Sequence, residues 1–139
     1  EVKGTVVGGL VTMFWVEVVR VALMHHATWS VNSICHVFGY RNFKSGDMSR
    51  NNPVVAVLAL GEGWHNNHHA FPTSARHGLR WWEFDASWLV IWTLYKTRLA
   101  WDVRVPTRER IAASYRAGGY GYGHAKKELI RYDPPLQLF

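Results

Sequence analysis

The run TVVGGLVTMFWVEVVRVALM, residues 5–24, decides the fold class. It is apolar except for Glu17 and Arg20, and coiled as a helix it covers roughly 30 Å, the thickness of a bilayer's hydrocarbon core. It therefore reads as a membrane-spanning helix. Glu17 and Arg20 stand three apart on one helical face, where they can pair with each other or with neighbouring helices. The competing reading is a buried helix of a soluble protein, favoured by the two charges, since each costs on the order of a few kcal/mol in lipid. A signal peptide fits poorly: the run starts almost at the first residue, has no basic leader and is followed by no small-residue cleavage signal. Position 1 is Glu rather than Met, so a processed product or an excised piece is expected.

Working outward, the helical pattern continues through HHATWSVNSICHVFGY and is expected to stop at Gly39. Residues 40–53 are polar, contain a glycine and end on a proline, which predicts a surface loop. The apolar run Val54–Leu60 is too short for periodicity to assign. In GEGWHNNHHAFPTSARHG, residues 61–78, the first half is expected to form a helical turn. From Trp81 to Leu99, aromatic and aliphatic residues recur every three or four positions, an amphipathic helix with Asp85 or Ser87 near its start. Its stripe suits either a lipid interface or an ordinary core. Pro106 opens a final short helix with Thr107 as its cap. The tail after Ala113 is rich in glycine and charge and reads as loosely ordered. No strand signal or internal repeat competes, so the expected fold class is all-α.

The chain has 139 residues, a length that suits one domain. Its single cysteine, Cys35, excludes an internal disulfide and reads as a small packing residue. A net charge of +6 favours an anionic partner: nucleic acid, a membrane face or a phosphorylated cofactor. Nucleic acid is the weakest of these, because the basic residues are scattered and no recognition module is visible. The zinc-protease helix, nucleophile elbow, phosphate-binding loop and dinucleotide fingerprint are all missing.

The chemistry concentrates in His65-Asn66-Asn67-His68-His69. On a helix, His65 and His69 lie one turn apart with His68 beside them, so the three imidazoles are expected to converge on one side. Imidazole suits iron, zinc, copper or nickel, whereas calcium and magnesium prefer oxygen. His36 is the natural fourth participant, with Asn32 one turn before it on the same face. His25 lies roughly 16 Å from His36 along a straight helix, too far to share a metal. His26 points elsewhere, and His77 and His124 look isolated. Glu62 can accept a hydrogen bond from a ligand's distal nitrogen, or pair with Arg76 or Arg80.

The strings ATWSVNSICHVFGYRNF and GEGWHNNHHAFPTSARHG, with DVRVPTRERI downstream, resemble the C-terminal catalytic segment of integral-membrane acyl-CoA desaturases of the stearoyl-CoA type, actinobacterial members in particular. The resemblance spans roughly residues 10–113. It implies a two-iron centre acting with molecular oxygen on a long-chain acyl-CoA, with a lean to Δ9. The implied ligands are His36, His65, His68 and His69, with Asn32 reaching iron through water. Glu62, Asn66 and Asn67 become candidates for supporting these ligands. The implied electron donor is a cytochrome b5, a ferredoxin or a flavoprotein reductase.

Members also carry an earlier HxxxxH box, a further HxxHH box and more transmembrane helices, none of which this sequence contains. On the resemblance, residues 1–113 are the C-terminal part of a desaturase domain. About 5–24 form its last transmembrane helix, 25–113 a cytosolic cap, and 114–139 a flexible charged tail. Such a piece of a multi-pass protein carries about half the ligand set and is expected to be inactive alone. Two alternatives stay open: a related membrane hydroxylase, and a non-enzymatic membrane-associated metal-binding or interaction protein.

Overall fold

The structure is a computed structural model that describes residues 4–118, with side chains through Tyr115. The amino-terminal run forms one long helical rod: α1 (Val6–Met13), a π-helical segment (Phe14–Val19) and α2 (Arg20–Ile34). Thr5 caps it by accepting from the Gly8 amide. Within the π segment the hydrogen bonds reach back five residues, as from the Arg20 amide to the Trp15 carbonyl. Glu17 and Arg20 do not pair as their spacing allowed: the Arg20 Nε donates instead to the Val16 carbonyl, 2.9 Å away. The rod, Val6–Ile34, is long and apolar enough to cross a membrane, and little of it is buried.

The helix ends at Ile34, earlier than Gly39. Val37 and Phe38 both donate to the Ile34 carbonyl, turning the chain out of the helix. Gly39 then takes a φ of +131°, and a Cβ there would overlap the Asn51 backbone. The close approach lets Tyr40 and Asn51 pair as an isolated antiparallel bridge, which Asn51 extends to Trp64.

Beyond the rod, the chain winds into a cap of short helices joined by long loops. Val54–Leu60, unassigned by periodicity, becomes α3 (Pro53–Leu58): Asn52 caps it, and Pro53 occupies a first-turn position where a missing N–H costs nothing. The histidine box forms α4 (His65–Ala70). Asp85 is the cap of α5 (Ala86–Lys96), accepting from the Trp88 amide, and Thr107 caps α6 (Arg108–Gly118). Among the described residues every element is helical, so the fold is all-α.

Two small apolar clusters organise the cap. Val31, Cys35 and Val55, with Ala59, join the end of α2 to α3. Phe43, Phe71, Leu79, Ile111 and Tyr115 fasten α6 over the loops flanking α4. Cys35 is fully buried, and that burial pushes its thiol up to about 11, in keeping with an inert packing role. Residues 114–118, expected to open a loose tail, instead continue α6, with Tyr115 packed into the second cluster; His124 and the rest of the tail lie outside the described residues.

Candidate metal centre

Three of the histidines converge. His65 Nε2 lies 3.2 Å from His36 Nε2 and 3.1 Å from His69 Nε2, and the ligand atoms of all three fall within 4.8 Å of one another. Nitrogens held about 2.1 Å from a common ion sit about 3.0–3.4 Å apart at octahedral or tetrahedral angles, so the observed spacing fits one cation. Neutral imidazoles facing each other through unprotonated nitrogens repel without a cation between them. The Asp47 carboxylate contacts Nδ1 of His69. That contact places the proton on Nδ1 and leaves Nε2 with its lone pair, the usual carboxylate support of a metal-binding histidine.

The electrostatics favour the ligating form. Burial, with His69, His36 and His68 nearby, brings His65 down to about 4, so it is neutral at physiological pH. Burial and His77 likewise lower His68. Asp47 is pushed up by burial, but hydrogen bonds from Ser49, Ser45 and His69 outweigh it and hold the carboxyl below the usual range.

Unusual packing puts these rings in place. Trp64 offers no side-chain cap to α4, and Asn51 supplies one from across the fold, its Oδ1 accepting from the Asn66 and Asn67 amides. The two asparagines of the box turn into the core. Asn66 accepts from the amides of Asn42 and Phe43 and donates to the Phe43 carbonyl and Ser45. Asn67 accepts from Asn42 and Asn51 and donates to the His77 carbonyl and to Glu83.

Glu83, 3% exposed, ends this network. Its oxygens accept from Tyr40, Asn42, Asn67 and the amides of Leu79 and Arg80. Burial raises Tyr40, and the Glu83 charge and hydrogen bond raise it further, against smaller opposing effects of Arg80 and Asn51. Behind α4, Gly63 runs so close to α3 that a Cβ would overlap the Ala56 backbone.

The sequence-derived candidates divide accordingly. His36, His65 and His69 meet, whereas His68, expected on the same side, stays outside their group and packs on His77. Asn32 is exposed on α2, its amide directed to the Thr28 carbonyl at 3.4 Å. His25 and His26 lie exposed against Trp29, away from the cluster. Glu62 pairs with neither Arg76 nor Arg80 but lies 3.8 Å from Nδ1 of His77. His77 is accordingly not isolated, and its ring packs on His68. Sequence spacing also missed Asp47, Asn42, Asn51 and Glu83. Each is a polar residue in a loop, where no period marks what it will face.

Residues 4–115 match the sequence profile of the family described as fatty acid desaturase. The chain belongs to that family. It is 52% identical over 101 residues to an icosanoyl-CoA 5-desaturase of Limnanthes douglasii, covering 73% of this chain and 28% of that protein. It is 52% identical over 100 residues to a chloroplastic palmitoyl-monogalactosyldiacylglycerol delta-7 desaturase of Arabidopsis thaliana, covering 72% and 27%. An sn-1 stearoyl-lipid 9-desaturase of Anabaena variabilis is 48% identical over 103 residues, covering 74% and 38%. This desaturase chain thus spans about a third of the length of these relatives, which come from plants and cyanobacteria rather than actinobacteria.

Proposed function

We propose that this chain contributes part of a histidine-ligated two-iron centre to an oxygen-dependent fatty acyl desaturase, the other ligands coming from chain outside these residues. The observation that carries the reading is the convergence of the His36, His65 and His69 Nε2 atoms, with Asp47 behind His69, in a desaturase-family chain. The donor set fits iron, since imidazole with carboxylate support suits a borderline divalent cation better than calcium or magnesium. Bound iron supplies the oxygen and redox chemistry: two hydrogens from adjacent methylenes, with two electrons and two protons from a donor, reduce O2 to two waters while a C=C bond forms.

The chain's own residues hold and orient the site. His36, His65 and His69 present unprotonated nitrogens, and His68 presents a further imidazole from the same helix. Asp47 keeps the His69 proton on the side facing away from the ion. The Asn66, Asn67 and Glu83 bonds fix the roll of α4, so that its three imidazoles keep their directions through turnover. The rod anchors this cap at a bilayer, where a long acyl chain is reached without crossing water. On the sequence resemblance, the cap faces the cytoplasm, the substrate is a long-chain acyl-CoA desaturated at Δ9, and the donor is a cytochrome b5, a ferredoxin or a flavoprotein reductase. The relatives' names include both CoA and glycerolipid esters, so the acyl carrier is part of the test.

The deciding experiment expresses the full reading frame in a desaturase-deficient host and analyses fatty acids and iron together. About two irons per polypeptide and a new double bond are expected. A hydroxylated product would assign the related hydroxylase chemistry instead, and stoichiometric iron without any lipid product would reduce the protein to a metal-binding one.

A further inference from the structure

We propose that His77 is an additional metal-facing histidine, supplying an imidazole to the same iron position as His68 with Glu62 supporting its outer nitrogen; this rests on the two-iron reading above. His68 projects from α4 away from the three-nitrogen cluster, and its closest imidazole is His77. Their ring centroids are 4.6 Å apart, against 5.5 Å from His68 to His69 and 6.1 Å to His65. The structure supplies its own yardstick: the rings whose nitrogens converge have centroids 4.3, 5.1 and 5.6 Å apart. The His68–His77 pair falls inside that range, as does His68–His69, so the spacing shows two rings in contact and not yet two converging nitrogens. His68 Nδ1 is buried with no hydrogen-bond partner, an orphaned nitrogen that a cation or its water would satisfy.

A carboxylate stands on the outer side of the His77 ring, at ion-pair rather than hydrogen-bond distance. Its Nδ1 lies 3.8 Å from the Glu62 carboxylate, so a proton is favoured there and the lone pair falls on Nε2. The side chain is only 16% exposed. Its backbone is pinned on both sides: the amide donates to Asp85 at 2.7 Å, and the carbonyl accepts from Asn67 at 2.8 Å. Asn67 immediately precedes His68, so one side chain sets the distance between the two rings.

The test uses the protein expressed from its full reading frame, loaded with isotopically enriched iron in detergent. Iron content, Mössbauer spectrum and thermal unfolding of the metal-free form are compared for H68A, H77A, H77Q and E62Q. H77A and H77Q should each weaken iron at one position by more than the roughly 10- to 100-fold that follows loss of an outer partner, and alter one of the two iron signals, leaving metal-free stability near wild type. E62Q should shift the same signal with a smaller loss, because the imidazole remains. Wild-type iron and spectrum in both His77 variants, with iron lost in H68A, would overturn the assignment and leave the two-iron reading standing. Iron lost in H77A only through unfolding, with H77Q unchanged, would also overturn it and make His77 a packing residue. Wild-type iron in H68A itself would instead sink the two-iron reading.

Discussion

The rod and the cap solve opposite problems. Along α1 and the π segment, large apolar residues such as Val6, Leu10, Phe14 and Trp15 stand more than half exposed. In the cap, the fully buried residues include Asn42, Asn51, Asn66 and Asn67. As a helix, the rod pairs its interior backbone N–H and C=O groups within itself and leaves its side chains for lipid or neighbouring helices. The cap lacks long elements, so side-chain amides and carboxylates take over the hydrogen bonding that a sheet or bundle would supply. Apolar contact tolerates sliding, whereas an amide with all four hydrogen-bonding positions engaged, such as Asn67, tolerates little. That is a reason to build a metal site on the second kind of core.

The largest effect that would sharpen this contrast is loss of metal. Replacing His65, which touches both other members of the cluster, with Ala should reduce iron content by more than the roughly 10- to 100-fold that follows loss of a supporting hydrogen bond. Metal analysis of the full-length protein reads it, and unchanged iron would break the assignment of the cap as the metal-holding half.

Next in size is Glu83. Its oxygens meet only donors, so E83Q places an amide NH2 against at least one of them and should cost about 2–4 kcal/mol in cap stability, seen in denaturant unfolding. G63A should cost a comparable or slightly smaller amount, about 1–3 kcal/mol, because backbone rather than a flexible side chain fills the space beside it.

A pH titration gives a further, graded test. The unfolded chain protonates histidine near 6.5, whereas folded His65 resists until about 4. Between these values the unfolded state binds more protons, so the metal-free cap should lose stability as pH falls through that window and gain none from this group above it. H65A should flatten that part of the profile. The smallest effect belongs to the rod: L10A, on an exposed face, should change cap unfolding by less than about 0.5 kcal/mol. A loss as large as that of E83Q would show that rod and cap share one core.

Much of this architecture was legible without coordinates. Continuous apolarity announced the rod, three-and-four spacing announced a helix within residues 81–99, and Thr107 marked the start of the last one, because these are local effects. The HNNHH spacing put three imidazoles on one short helix for the same reason. That Asp85 rather than Ser87 caps α5, and that α5 starts only at Ala86, the three-and-four spacing left open. Cys35, expected as a small packing residue, is buried in an apolar cluster. The end of α2 is not legible locally: the helix stops at Ile34, several residues before Gly39. Gly39 looked like its stop, but the glycine's actual task is to admit the Asn51 backbone, a contact with a distant loop.

What the sequence determined by itself, then, is what depends on neighbours along the chain: an all-α fold, an apolar rod of membrane-spanning length, and a histidine-rich helix with metal-binding chemistry. Only the tertiary structure decided which way each imidazole faces. His36, His65 and His69 were gathered, while His68 was sent to His77. Asn51 became a helix cap from across the fold, and Glu83 the anchor of the amide network. Those choices depend on pairs separated by tens of residues in irregular loops, where no periodicity operates and hydrogen-bond geometry in the folded core alone fixes the partner.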